Sequence, residues 1–207
     1  MAEEVLFASY TTLRGRSEAI YTEQRSKFIA FAIPVDSEAA AMEEVQNFRK
    51  RYYDARHVCW AYRIGKEVPV ERLNDDGEPS STAGKPILGQ MLSYGLTDLL
   101  IVVVRYFGGV KLGTSGLIVA YRTAAEEAIK AGEMVEVTLY SHYRLSFPFD
   151  LINPVMILLR QYEAETLLSD ADLEGHIWEV KVPNSRAKEF EEALTALYQL
   201  KAKRLAN

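Results

Sequence analysis

The densest group of chemically versatile side chains lies in the segment NDDGEPSSTAGKP. Its three carboxylates could chelate a hard cation, exchange protons with a substrate, or pair with basic groups such as Arg105 or Lys85. They do not have EF-hand spacing, and Asp-Asp-Gly-Glu-Pro is also typical of a turn braced by backbone N–H bonds. We therefore predict neither a metal nor a cofactor here, and the catalytic and bracing roles stay open. The carboxylates belong to Asp75, Asp76 and Glu78.

Two glycine-containing loops resemble phosphate-binding loops in composition but not in spacing. A Walker loop would require glycine at Pro79 and serine or threonine at Pro86. The second loop, GGVKLGTSG at 108–116, contains no GxGxxG pattern. A buried strand that leads through such glycines into a helix can still present backbone N–H groups to an anion, with Arg105 and Lys111 beside it. Anion binding and a purely structural turn explain the glycines equally well.

A nucleophilic site has one candidate pair in the sequence. His57 and Cys59 are two residues apart on a predicted strand and therefore share a face. The apolar surroundings of the cysteine favour a buried structural thiol over a reactive thiolate. An enzyme acting on a small phosphorylated or amino-acid-derived substrate, with His57 and the three carboxylates as its acid–base set, remains an alternative.

Basic residues outside these loops form two further candidates for binding. The run RKR at 49–51, with Arg56 and His57 just beyond, is the densest positive cluster. Cations also favour the C-terminal end of a helix, so composition favours a solvated helix end. Arg25 and Lys27, at a turn into a strand, have the same ambiguity.

Hydrophobic periodicity predicts the elements that position these residues. Ser37 is a favourable N-cap for a helix with one apolar face. That face consists of Met42, Val45, Phe48 and Tyr52. In the run LLIVVVRYF, apolar residues would point to both faces of a strand, so we expect a strand buried on both faces. The predicted strands of the N-terminal part are 17–24, 26–35, 57–64 and 99–107, and its helices are 37–53, 86–94 and 117–131.

The C-terminal part has its own predicted order of strands and helices. Its elements are a strand ending near Phe147, a helix capped by Asn153 and ending near Tyr162, strands at 165–172 and 176–182, and a helix capped by Asn184. With a short last strand, this is the β-α-β-β-α order of split βαβ or ferredoxin-like domains. We expect an α+β protein with two domains, 1–137 and 138–207.

The overall composition limits the class of function. The chain has 207 residues and a net charge of −5, and both parts are mildly acidic, so any RNA contact must depend on a local positive patch. Cys59 is the only cysteine, which excludes an intramolecular disulfide and CxxC metal sites. The N-terminus lacks signal-peptide features, and the longest apolar run is too short to span a bilayer. We expect a soluble, cytoplasmic protein with no membrane partner.

Several blocks of the sequence together resemble one known family. The blocks are RSKF at 25–28, ARHVCWAY at 55–62, DDGEPSSTAGKP at 75–86, and VVVRYFGGVKLGTSGL at 102–117, followed by Tyr121 and Ala124. The chain resembles the IMPACT family, in its bacterial YigZ-type form, over about residues 20–131. The C-terminal part is similar to the small domain appended in that family, mainly through its element order. The chain departs from the family pattern at three positions: Ser81 and Ser115, where glycine is usual, and Arg122.

The resemblance implies a fold for each domain and a general biological role. The N-terminal domain would be like domain 2 of ribosomal protein S5 and domain IV of elongation factor G, and the ferredoxin-like C-terminal domain like domain V of that factor. In eukaryotic relatives this domain belongs to a regulator of translation under amino-acid starvation. We therefore expect a non-enzymatic, translation-associated regulator that binds the ribosome, RNA or a translation-related protein. A general protein-interaction scaffold is the alternative from a different class.

The two motif loops, each leading into a helix, would form the binding face. In this interpretation Lys85, Arg105 and Lys111 are offered to phosphates, and Tyr106 and Phe107 either stack or fill the core. The candidate binding residues are Arg25, Lys27, His57, Asp75, Asp76, Glu78, Lys85, Arg105, Tyr106 and Lys111.

Overall fold

The computed structural model describes residues 7–206, which form a mixed α/β fold with five α-helices and three β-sheets in this range. Contacts divide the chain into two compact units. One is Tyr10–Val137, and the other contains the chain from Thr138 together with the described residues before Tyr10. Within residues 7–206, no helix combines the length and the apolar character needed to cross a bilayer.

The first unit interleaves strands and helices along the chain. Its elements are β1 (Ser9–Leu13), β2 (Ser17–Glu23), β3 (Ser26–Pro34), α1 (Glu38–Arg51), β4 (His57–Ile64), β5 (Val70–Asn74), α2 (Gly84–Ser93), β6 (Leu99–Tyr106), α3 (Gly113–Ala131) and β7 (Met134–Thr138). Five strands form an antiparallel sheet of order β2-β3-β6-β4-β5, and β1 pairs with β7 in a small separate sheet. Helix α1 covers one face of the large sheet, and α2 and α3 cover the other.

The central strand β6 is buried on both faces, as predicted. Leu99, Ile101 and Val103 point toward α2 and α3, whereas Leu100 and Val102 point toward α1. An apolar strand needs no polar alternation when helices cover both of its faces. The strand therefore contributes to the core on each face of the sheet, and it sets where the following loop begins.

The helix α1 was predicted correctly in its cap and incorrectly at one core position. The Ser37 hydroxyl accepts the Ala40 N–H at 3.3 Å. Ala41 is buried, whereas Met42 is 37% exposed. Ala41, Val45 and Phe48 follow the i, i+4, i+7 spacing of a single helical face, which Met42 does not share.

Several boundaries and strands differ from the prediction. Strands β1 and β5 were not predicted. All five residues of β5, VERLN, are exposed at the sheet edge, so no apolar alternation marks this strand. Helix α3 begins at Gly113, one turn before the predicted start at 117, because GTS forms its first turn.

The second unit has the element order β-α-β-β-α-β. Its elements are β8 (Tyr140–Phe147), α4 (Ile152–Gln161), β9 (Glu165–Ala171), β10 (His176–Pro183), α5 (Asn184–Thr195) and β11 (Lys201–Leu205). The strands form an antiparallel sheet of order β11-β8-β10-β9. Tyr143, Trp178 and Phe190 are prominent in the core between this sheet and its helices.

Both asparagine caps predicted for this unit are wrong. A short 3-10 turn, Phe149–Leu151, precedes α4, so Asn153 lies inside the helix. Asn184 is the first residue of α5 and makes no capping bond. Its side-chain oxygen instead accepts the Ser141 hydroxyl at 2.8 Å, which ties the start of α5 to β8.

Gly108 is required where the loop after β6 passes the turn between β2 and β3. A Cβ atom at this position would collide with the backbone carbonyl of Arg25. We expect Gly108→Ala to lower the free energy of unfolding by about 2 kcal/mol or more, since backbone atoms cannot move aside cheaply. Urea denaturation monitored by Trp60 fluorescence, in a Trp178→Phe background, reports on the first unit.

Gly89 in α2 provides the matched control for this substitution. A Cβ there meets no atom within 4 Å. We expect Gly89→Ala to raise the free energy of unfolding by about 0.5–1 kcal/mol, because alanine favours a helix. Equal stability of the two variants would contradict the steric role assigned to Gly108.

Candidate functional site

Asp75 organises the loop that precedes α2. Its carboxylate accepts N–H bonds from Ser81 at 2.9 Å, Ala83 at 3.0 Å and Gly84 at 2.8 Å. Ala83 provides no side-chain cap for α2, so this carboxylate caps the helix from the loop. The predicted bracing role of the acidic loop is confirmed for Asp75.

Asp76 joins the same loop to α1 and β4. One carboxylate oxygen accepts the Val58 N–H at 2.7 Å, and the other accepts a bond from Arg49 at 2.7 Å. The Asp76 carbonyl lies 2.7 Å from His57 Nδ1. A carbonyl can only accept, so Nδ1 carries the hydrogen and the other ring nitrogen, Nε2, is left for other contacts.

Glu78 forms the buried centre of the network. Its Oε1 atom accepts bonds from Arg105 at 2.5 Å and from the Tyr121 hydroxyl at 2.8 Å, and lies 3.7 Å from His57 Nε2. Glu78 is 9% exposed and Arg105 is 5% exposed. The expectation that Arg105 is offered on the surface to phosphates is therefore corrected, because its guanidinium is buried and already paired with a carboxylate.

Cys59 is a structural member of this network. Its thiol lies 3.1 Å from the Asp75 carbonyl and 3.3 Å from the Tyr121 hydroxyl, and it is fully buried. Burial raises the pKa of the Cys59 thiol and that of the Tyr121 hydroxyl far above their ordinary values, and nearby carboxylates add to both effects. Both groups stay neutral, which confirms a buried structural cysteine and leaves no thiolate nucleophile.

A pocket of about 380 Å³, here called the α3 pocket, opens beside the network. Its lining residues are Arg56, His57, Glu78, Pro79, Arg105, Phe107, Lys111, Leu112, Gly113, Thr114 and Leu117. Three separate sequence blocks therefore meet here: ARHVCWAY, the acidic loop, and the segment that joins β6 to α3. The N-cap residue of α3, Leu112, provides no side-chain cap for the first turn of the helix, and Gly113 and Thr114 of that turn line the pocket.

The structure brings only some of the predicted binding residues to this pocket. His57, Glu78, Arg105 and Lys111 line it. Asp75 and Asp76 do not line it, and their carboxylates are occupied with backbone N–H groups. Among residues 7–206, no cluster of three or more potential metal ligands is present.

The remaining predicted residues lie elsewhere on the first unit. Lys85 borders a different depression, between α2 and α3. Tyr106 packs on the α1 side of β6 and donates its hydroxyl to Asp54 at 2.9 Å, so it fills the core edge. Arg25 and Lys27 are exposed at the turn and on the strand beyond the sheet centre.

Some pocket residues were missed by sequence reasoning. Thr114 and Leu117, which line the pocket, lie at helical spacing with Tyr121 of the buried network, and this signal could have identified the pocket wall. Phe107 is 48% exposed at the rim and lies 5.7 Å from the Arg105 guanidinium. The sequence had left open whether Phe107 stacks or fills the core, because no one-dimensional pattern distinguishes an exposed ring from the buried aromatics of neighbouring strands.

The two serines that depart from the family pattern behave differently. Ser81 has φ +64°, a left-handed conformation that favours glycine, and its N–H bond to Asp75 holds it there. Ser115 lies within α3 with an ordinary backbone, so no strain arises. Backbone strain from replacing glycine therefore applies to Ser81 and not to Ser115.

Removing one partner of the buried Glu78–Arg105 pair should strongly destabilise the first unit. We expect Glu78→Ala to cost about 3–5 kcal/mol, because it leaves the guanidinium buried without a partner. Replacing both residues, as Glu78→Leu/Arg105→Met, should cost less than the single change. Urea denaturation in the Trp178→Phe background measures both values.

An exposed ion pair provides the control. Arg14 and Glu133 are paired at 3.1 Å with most of both side chains in solvent. Glu133→Ala should change stability by no more than about 1 kcal/mol. If Glu78→Ala were as mild as this control, the buried pair would not hold the loop to the sheet.

Comparison with known proteins places these blocks in a family. Residues 24–129 match the model of the Impact N-terminal domain. The chain is 34% identical over 190 residues to IMPACT family member YvyE of Bacillus subtilis, covering 91% of the chain and 87% of the relative. It is 33% identical over 169 residues to IMPACT family member YigZ of Escherichia coli, covering 81% and 82%.

A solved structure supports the same assignment. A crystal structure described as that of a hypothetical protein matches with a TM-score of 0.68 and 29% sequence identity, over 98% of this chain and 100% of that one. The likeness therefore extends over both compact units. The predicted resemblance is confirmed, and the chain belongs to the IMPACT family.

Proposed function

We propose that the chain is a translation-associated protein that binds RNA, free or within the ribosome, through the α3 pocket and without catalysing a reaction. One observation carries this proposal. Three of the four sequence blocks that mark the family are far apart in the chain, yet all three line this pocket. Family membership supports a role linked to translation.

The chemistry of the pocket suits a phosphate attached to a flat ring. Arg56 and Lys111 have no carboxylate partner among residues 7–206, and both border the pocket near the uncapped first turn of α3. Backbone N–H groups at a helix start, together with such cations, attract phosphates. Phe107 and Leu117 add apolar surface on which a base can pack.

The charge balance of the pocket is positive although the chain is acidic overall. Glu78 is the only carboxylate that lines the pocket within the described range, and Arg105 neutralises it. A net charge of −5 opposes long-range attraction to RNA. Binding should therefore be local and strongly weakened by salt.

The domain boundaries and the likeness of each domain to known domains are also inferences. We infer two domains, 1–137 and 138–207, the first like domain 2 of ribosomal protein S5 and domain IV of elongation factor G. The second is inferred to be ferredoxin-like, which the β-α-β-β-α-β order and the sheet order β11-β8-β10-β9 support. A cytoplasmic location would fit this role.

Charge reversal at the pocket tests the proposal. We expect Arg56→Glu/Lys111→Glu to weaken binding of a short labelled single-stranded RNA about tenfold or more at low salt. The slope of log affinity against log salt should also fall by about 1.4, as expected for two lost phosphate contacts. Fluorescence anisotropy measures both, and co-sedimentation with ribosomes provides the second arm.

The matched control is Lys201→Glu/Lys203→Glu, which makes the same change in net charge on exposed residues of β11. This variant should bind like the wild type. Equal weakening in both variants, or no binding of RNA and ribosomes by the wild type, would overturn the proposal.

An enzyme remains the second candidate, favoured by one contact. His57 Nε2 lies 3.7 Å from Glu78 Oε1 in the pocket wall, which is the kind of pair that exchanges protons. That oxygen already accepts two hydrogen bonds, however, and has little capacity left for a substrate.

Measurement of phosphate release separates the two candidates. With a panel of small phosphate monoesters, we expect the wild type to release no more phosphate than a His57→Gln variant. Release by the wild type that is lost in His57→Gln would favour the enzyme, whatever the RNA measurements show.

A further inference from the structure

A second surface of the first unit lies between α2 and α3. This depression, here called the α2–α3 groove, has a volume of about 780 Å³ and shares no lining residue with the α3 pocket. Its walls include Leu88 and Leu92 from α2 and Ile118 from α3. The proposed RNA-binding role does not use it.

The groove is aliphatic and open to solvent. Leu92 is 47% exposed, and Leu88 and Ile118 are half-buried. No aromatic side chain lines the groove within the described residues, so it offers no ring for a nucleic-acid base to stack on. Contiguous exposed aliphatic surface of this kind is typical of protein contacts.

Gly89 lies in the groove and is not required by the fold. It sits inside α2 with no left-handed φ, and a Cβ there would meet no atom within 4 Å. Glycine within a helix costs about 1 kcal/mol relative to alanine. A missing side chain at the floor of an open groove makes room for an external element to approach closely.

Two cations border the groove. Lys85 and Arg122 line it and have no carboxylate partner among residues 7–206. None of the described lining residues is acidic. On a chain with net charge −5, this local excess of positive charge complements an acidic ligand.

We propose that the α2–α3 groove binds an amphipathic α-helix of a partner protein, with acidic residues beside its apolar face. Two neighbouring helices with an aliphatic floor form the surface into which a third helix packs, with apolar anchors at i, i+3, i+4 and i+7. Gly89 lets that helix approach α2, and Lys85 and Arg122 pair with its carboxylates. This pairing would give a role to Arg122, one of the three positions at which the chain departs from the family pattern.

A displayed library of random peptides about four helical turns long tests this proposal on the full-length chain. Peptides are selected on the wild type and counter-selected on Gly89→Leu, which fills the groove at a position free of internal contacts. Gly15→Leu is the matched control, since it adds the same side chain at another glycine with open space around it. Circular dichroism confirms that both variants are folded.

We expect the selected peptides to carry apolar residues at i, i+3, i+4 and i+7 with aspartate or glutamate beside them. They should bind the wild type and Gly15→Leu alike. Binding to Gly89→Leu and to Lys85→Glu/Arg122→Glu should be about tenfold weaker or more, as expected when the packing or the charge pairing at the centre of an interface is lost. Binding to Arg56→Glu/Lys111→Glu should be unchanged, so the result does not depend on the proposed RNA-binding role.

Three outcomes would overturn the proposal. The first is that no peptide survives counter-selection. The second is that the survivors are basic or lack helical spacing. The third is self-association of the wild type, seen by analytical ultracentrifugation and lost in Gly89→Leu, which would assign the groove to a second copy of the chain.

Discussion

The buried pair between Glu78 and Arg105 is the constraint on which the first unit depends. Neither charge could be removed from water alone, because desolvating an unpaired ion costs several kcal/mol. Arg105 lies near the end of the central strand β6, whereas Glu78 lies in the loop between β5 and α2, so the pair holds that loop against the sheet. Tyr121 donates to the same carboxylate and adds α3 to the assembly. The location of the α3 pocket follows from these three anchors.

The acidic loop resembles a catalytic motif, but its three carboxylates form structural hydrogen bonds. Asp75 caps α2, Asp76 holds the start of β4, and Glu78 holds Arg105. Each carboxylate thus fixes a different element, and each uses lone pairs that a metal or substrate would need. What remains for a ligand is the rim, where Arg56 and Lys111 have no carboxylate partner among residues 7–206. The binding chemistry of the pocket is therefore cationic and apolar, because its one lining carboxylate in the described range, Glu78, is neutralised by Arg105.

Sequence reasoning recovered the features that depend on local patterns. The doubly buried strand β6 and the Ser37 cap follow from alternation and from hydrogen-bonding chemistry, which act over a few residues. The sequence offered pairing with the acidic loop and exposure to phosphates as alternative roles of Arg105, and it could not decide between them because the choice depends on a carboxylate 27 residues away. Asn184 shows the same limit, since its side chain serves β8 rather than its own helix. Where a side chain had more than one possible partner, the choice depended on residues distant in the sequence.

Helix α3 connects the two surfaces through its periodicity. Successive residues of a helix are rotated by about 100°, so neighbours in sequence face different surroundings. Leu117 therefore lines the α3 pocket and Tyr121 reaches the buried network, while Ile118 and Arg122 line the α2–α3 groove. The helix is 19 residues long and buried along its inner face, so it acts as one rigid element. An RNA phosphate at its first turn and a partner helix along its outer face would contact different residues of that element, and both could be bound at the same time.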